Sequence, residues 1–146
     1  MYNDLERYAD AADAYQQVLR IKPDDDEALL HLGIACFKLE RYTDTIDALQ
    51  QVLRIKPDDA FIWFHLGNAC YKIERYNDAV DAYQEGLKHC PGSAIAWLNL
   101  GSACSKLERY ADTVEAFHQA LEINPNHAIV WFYLGNACYK LKRYND

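Results

Sequence analysis

Cysteine and histidine are the residues here best suited to chemistry, five of each in 146 residues. Their spacing decides what they can do. Cys36, Cys70, Cys104 and Cys138 recur every 34 residues, at one position of a repeat. Equivalent positions of stacked units lie at least a helix-packing distance apart, roughly 8–10 Å. A disulfide needs Cα atoms within about 7 Å, so these four are expected not to pair. Structural zinc draws on close pairs such as C-x-x-C, and the sequence has none. The expected role is a small buried thiol filling a helix–helix contact, with Cys90, beside Pro91, as the exposed one. His31, His65, His89, His118 and His127 are scattered, without the i, i+4 spacing of a helical metal pair. No glycine-rich phosphate loop or nucleophile elbow is present. Neither catalysis, nor a metal, nor a cofactor is expected.

The period extends beyond cysteine. Pro23, Pro57, Pro91 and Pro125 stand 34 apart, as do Gly33, Gly67, Gly101 and Gly135, and Trp63, Trp97 and Trp131. A fixed period in this range marks stacked units that bury their apolar faces on one another. Within each unit the apolar spacing is three and four, which predicts helices and excludes strands. One all-α domain follows: a partial unit over 1–25, full units over 26–59, 60–93 and 94–127, and a partial unit over 128–146. Each full unit holds helices A and B, joined at Glu40-Arg41-Tyr42, Glu74-Arg75-Tyr76 and Glu108-Arg109-Tyr110. The first segment predicts a helix B over Ala9–Ile21, ended by Lys22-Pro23. The last predicts a helix A over Ala128–Leu141.

Composition limits the partners. A net charge of −7 disfavours nucleic acid and anionic membranes, which attract Lys and Arg. No apolar run approaches the roughly 18 residues of a membrane span, and the start lacks a signal-peptide pattern. The default expectation is a cytoplasmic protein.

Counting positions from Ala60, one face of helix A carries Ile62, Trp63, Leu66, Gly67, Ala69, Cys70 and Ile73 at helical spacing. It is expected to meet Tyr76, Ala79, Val80, Tyr83 and Leu87 of helix B. Trp63 should bury a large area, and Gly67 with Ala79 should bring the backbones close. The other face is not what a solvated surface looks like. It carries Phe61, Phe64, His65, Asn68, Tyr71 and Lys72. The next unit places Leu98, Asn99, Ser102 and Lys106 there, and the last places Phe132, Tyr133, Asn136 and Lys140. Contiguous apolar surface marks a binding site or an interface. Stacking of neighbouring helices would cover part of it. The lysines recur at position 13, beside the aromatic residues or simply answering the helix dipole.

The run Trp63–Lys72, W-F-H-L-G-N-A-C-Y-K, followed by Arg75-Tyr76, Ala79, Tyr83 and Pro91, resembles a tetratricopeptide repeat. The resemblance covers essentially the whole chain. It implies a right-handed superhelix whose concave side is lined by helix A. It also implies a protein-binding scaffold taking a peptide or helix at positions 2, 5, 6, 9, 12 and 13. Domains of this family that clamp chaperone carboxylate tails resemble one another in a set of lysines, arginine and asparagines. At those positions this chain has Phe64, Asn68, Asn99, Ile129 and Tyr133. The asparagines match and the cations are missing, so a carboxylate clamp is not expected. The asparagines could instead pair with a ligand backbone, or remain solvated amides. Thr45, Thr113 and Gly86 depart from the small alanines of the family.

A second reading stands beside the scaffold. The first helix B lacks its helix A and the last helix A lacks its helix B, and stacked repeats normally need polar caps. Such complementary faces favour head-to-tail self-association. A fragment of a longer array or an engineered repeat protein fits that reading.

Overall fold

The structure, a computed structural model, describes residues 2–145. Among the described residues eight helices follow one another: α1 (Tyr2–Ile21), α2 (Asp26–Lys38), α3 (Tyr42–Ile55), α4 (Ala60–Lys72), α5 (Tyr76–His89), α6 (Ala94–Lys106), α7 (Tyr110–Ile123) and α8 (Ala128–Asn145). No strand occurs among the described residues. Each helix packs on the next in sequence, and α4 also touches α6. This is a stack in which each unit contacts only its neighbours.

The helix starts are written in side chains. Asp25 accepts from the Ala28 N–H at 2.9 Å, Asp59 from Phe61 at 3.0 Å, and Ser93 from Ala96 at 3.2 Å. Each satisfies a backbone donor that the first turn leaves unpaired. The prolines contribute more than a stop. The indole N–H groups of Trp63, Trp97 and Trp131 donate to the carbonyls of Pro57, Pro91 and Pro125 at 2.7, 2.8 and 2.8 Å. Trp63 and Trp97 are only half-buried. They tie each inter-unit loop to the following helix rather than filling the centre.

The turn between A and B helices is strained. Glu40, Glu74 and Glu108 have φ of 58°, 62° and 58°, the left-handed region that favours glycine. The Arg41, Arg75 and Arg109 N–H groups return to the carbonyls of Cys36, Cys70 and Cys104 at 2.8, 2.9 and 2.9 Å, the long bond of a Schellman cap. Each arginine also donates to Asp44, Asp78 or Asp112 at 2.7–2.8 Å. Each of these three carboxylates is thus partly neutralised by its arginine.

The core runs through the stack as Leu49, Ile62, Val80, Tyr83, Leu100 and Phe117, all buried. Thr45, buried, shares its hydroxyl proton between the carbonyls of Gly33 at 3.2 Å and Arg41 at 3.1 Å. That satisfies a polar group where the family pattern has alanine. The repeat glycines act less on backbone approach than on side-chain space. A Cβ on Gly67 would stand 2.6 Å from the Tyr83 ring, and one on Gly101 2.5 Å from Phe117.

Two boundaries differ from the sequence expectation. Helix α1 begins at Tyr2 rather than Ala9, and α8 runs to Asn145 rather than Leu141. Glu6-Arg7-Tyr8 lies inside α1, although the same tripeptide makes a turn in three other places. A left-handed residue is adopted only where packing a second helix back on the first compensates for it. Cys138 is a further correction, because it is exposed while Cys36, Cys70 and Cys104 are buried.

The same tripeptide should therefore respond to glycine with opposite signs. Glu74→Gly removes left-handed strain and is expected to raise stability by up to about 1 kcal/mol. Glu6→Gly, inside a helix, is expected to lower it by up to about 1 kcal/mol. Urea denaturation of the two variants checks both.

Candidate functional site

Alternate helices α2, α4, α6 and α8 place their second faces along one side of the stack. Two adjoining cavities lie there. One, about 320 Å³, is lined by Phe37, Asn68, Tyr71, Lys72, Asn99 and Ser102, with Tyr83 behind them. The other, about 410 Å³, is lined by Tyr71, Ser102, Ser105, Lys106, Tyr133, Asn136, Tyr139 and Lys140, over Phe117 and Ala137. Tyr71 and Ser102 border both, so the cavities form one continuous groove.

The asparagines are partly engaged inside it. Tyr83 donates its hydroxyl to Asn68 Oδ1 at 2.6 Å, and Asn99 Nδ2 donates to the same oxygen at 3.2 Å. Burial pushes the Tyr83 phenol well above its usual pKa, so it stays a donor. Asn68 thus cross-links α4, α5 and α6 through its acceptor, and its amide N–H groups remain for the groove. Ser102 donates to the Leu98 carbonyl at 2.9 Å. Lys72, Lys106 and Lys140 are exposed on the rim, with Lys140 lying 5.4 Å above the Tyr110 ring.

Other sequence candidates lie elsewhere. Phe64 turns toward its own helix B, where a Cβ on Gly86 would meet its ring at 2.4 Å. Gly86 is therefore a notch for Phe64, which explains a glycine in mid-helix. Leu98 packs into the core beside Phe117. Phe61 and His65 pair within α4, ring centroids 4.1 Å apart, away from both cavities. Phe132 is 67% exposed on α8. Burial first, and the Lys38 charge second, push the His65 imidazole below its usual pKa. The buried thiols move the other way, Cys104 up to about 11 through burial, which leaves it unreactive at neutral pH.

A cavity that sequence reasoning missed lies between α5, α6 and α7. It is about 330 Å³, lined by Leu87, Trp97, Leu100, Cys104, Asp112 and Glu115 among others. Two units earlier it recurs as about 320 Å³ around Leu19, Leu29, Leu32, Cys36, Asp44 and Asp47. The 34-residue period was its only signal.

Family profiles described as tetratricopeptide repeat match residues 3–60, 60–93 and 94–127. No curated protein matches the chain. Among solved structures, it is similar to a crystal structure of MamA, with 25% identity and a TM-score of 0.86 over 89% of this chain and 76% of that one. MamA 41-end from Desulfovibrio magneticus RS-1 has 22% identity and a TM-score of 0.86, over 97% of this chain and 83% of that one. The latter likeness is one of fold alone.

Gly86→Ala is expected to lose about 1–3 kcal/mol by overpacking although alanine favours helix. Phe64→Leu in the same chain should recover most of the loss, and a double-mutant cycle in urea reads the coupling. Because the folded His65 pKa is lowered, protonation opposes folding. Stability should fall as pH drops through the unfolded histidine value of about 6.5 and level off below the folded one. His65→Gln should remove that component, measured by denaturation at pH 7.5 and 5.5.

Proposed function

We infer that this chain, which belongs to the tetratricopeptide repeat family and has its superhelical fold, binds a partner peptide or helix along the groove of α4, α6 and α8. That it is a protein-interaction scaffold follows from the family. The groove is our reading of where it acts. The observation that carries it is the continuity of two cavities through Tyr71 and Ser102. Aromatic walls suit aliphatic or aromatic anchors. The amide groups of Asn68 and Asn136 suit a ligand backbone, and the rim lysines suit acidic ligand residues. A net charge of −7 on the whole chain makes this lysine row a local reversal, which favours an acidic peptide over a basic one.

A second reading, head-to-tail association of copies, is favoured by the apolar surface left bare on α8. Trp131 is 51% and Ile129 57% exposed there. On α1, Tyr15 is half-buried and Val18 is 38% exposed.

Screening an array of 15-residue peptides tests the groove. Binders should combine an aromatic or aliphatic anchor with Asp or Glu. Ser102→Trp, which fills the junction of the two cavities, should weaken them by at least tenfold while helical circular dichroism is unchanged. Replacing Lys72, Lys106 and Lys140 together by Gln should weaken them by about tenfold, a loss that high salt reproduces in the parent chain. Binding unaffected by Ser102→Trp would place the site elsewhere.

A further inference from the structure

The bare face of α8 has a filled counterpart in the same molecule. From Trp63 to Lys72, α4 reads W-F-H-L-G-N-A-C-Y-K, and α8 reads W-F-Y-L-G-N-A-C-Y-K from Trp131 to Lys140. One residue in ten differs. On α4 this face is covered by α5, and Gly67 and Cys70 are buried. On α8 the equivalents Gly135 and Cys138 are exposed. A Cβ on Gly67 would strike the Tyr83 ring at 2.6 Å, whereas one on Gly135 meets nothing within 4 Å.

Three contacts define what α4 requires of its cover. The Tyr83 ring occupies the space over Gly67. Its hydroxyl reaches Asn68 at 2.6 Å. Gly86, one turn on, leaves room for Phe64. The residues that receive them, Gly67, Asn68 and Phe64, recur unchanged as Gly135, Asn136 and Phe132. In the other full units the cover differs together with the face beneath it. Leu98 stands where Phe64 does and faces a unit with Ala120 in place of Gly86. Leu30 goes with Val52. Glycine thus accompanies phenylalanine, and larger residues accompany leucine.

We propose that the open face of α8 docks an amphipathic helix carrying a tyrosine three residues ahead of a glycine, the chemistry of α5. The α4–α5 interface is the template, with the tyrosine over Gly135 and bonded to Asn136, and the glycine under Phe132. This site borders the groove at Asn136, whose oxygen it would use as Tyr83 uses that of Asn68, leaving the amide N–H groups to the groove; it does not depend on the groove being occupied. A second copy supplies the tyrosine through Tyr15 of α1 but has Val18 at the glycine register. A Cβ there already lies 2.4 Å from the phenylalanine ring in the α4–α5 case, so the copy is the poorer occupant.

The probe is a synthetic capped peptide of residues 74–91 of this chain carrying Cys90→Ser, so that it has no thiol to compete for the alkylating reagent. The target is the full chain with Cys90→Ser, in which Cys138 is the exposed thiol among the cysteines. The peptide should slow alkylation of Cys138 saturably, by at least tenfold. Its Gly86→Val and Tyr83→Ala versions should bind at least tenfold more weakly. Gly135→Leu in the target, whose Cβ has open space, should keep the helical signal and lose the protection. No protection at millimolar peptide, or equal protection by the Gly86→Val peptide, overturns the proposal. So does Cys138 protection that rises with protein concentration alone and is lost in Tyr15→Ala, which would assign the face to a second copy. Protection independent of protein concentration, together with concentration-dependent protection appearing in Val18→Gly, supports it.

Discussion

The contact on which the stack depends is a side chain of each B helix laid over a glycine of the preceding A helix. Leu49 lies on Gly33, Tyr83 on Gly67 and Phe117 on Gly101. The absent Cβ lets a large side chain enter the space between two helices, and burying that chain is the main favourable term at each junction. The rest of the unit serves this contact. Capping aspartates and a serine fix the A-helix starts, the tryptophan–proline bonds hold the loop before it, and the Schellman turn aims the B helix back.

The strained turn shows how much that contact outweighs. A glutamate in left-handed conformation costs on the order of 1–2 kcal/mol, and three are held there. Burial of a residue such as Tyr83 or Phe117 is worth more than that. Where no returning helix is packed, around Glu6 and along the end of α8, the backbone stays helical. The turn is thus a consequence of tertiary packing more than an instruction in its own three residues.

Polar groups mark the boundary between scaffold and groove. Asn68 faces both, with its oxygen used inside the stack and its N–H groups turned to the cavity. Phe64 belongs to the scaffold because Gly86 makes a place for it. Tyr71 lies against Tyr76, ring centroids 5.2 Å apart, and still walls both cavities. The groove is therefore shaped by residues that also hold helices together, which keeps it formed without a ligand.

The period, the helical class and the apolar face that each A helix turns to its B helix were legible in the residues themselves. Proline, glycine and a spacing of three and four act locally, and local rules can be read along a chain. The capping residues Asp25, Asp59 and Ser93 obey the same local rule. What residue order did not disclose was which of two equivalent residues is covered. Cys70 and Cys138 occupy one repeat position, yet one is buried and the other open, because burial belongs to the neighbour and not to the residue. The role of Gly86, the Asn68 bridge and the outer cavities were hidden likewise. Each is made by side chains from helices that only packing brings together, and tertiary structure alone decides who meets whom.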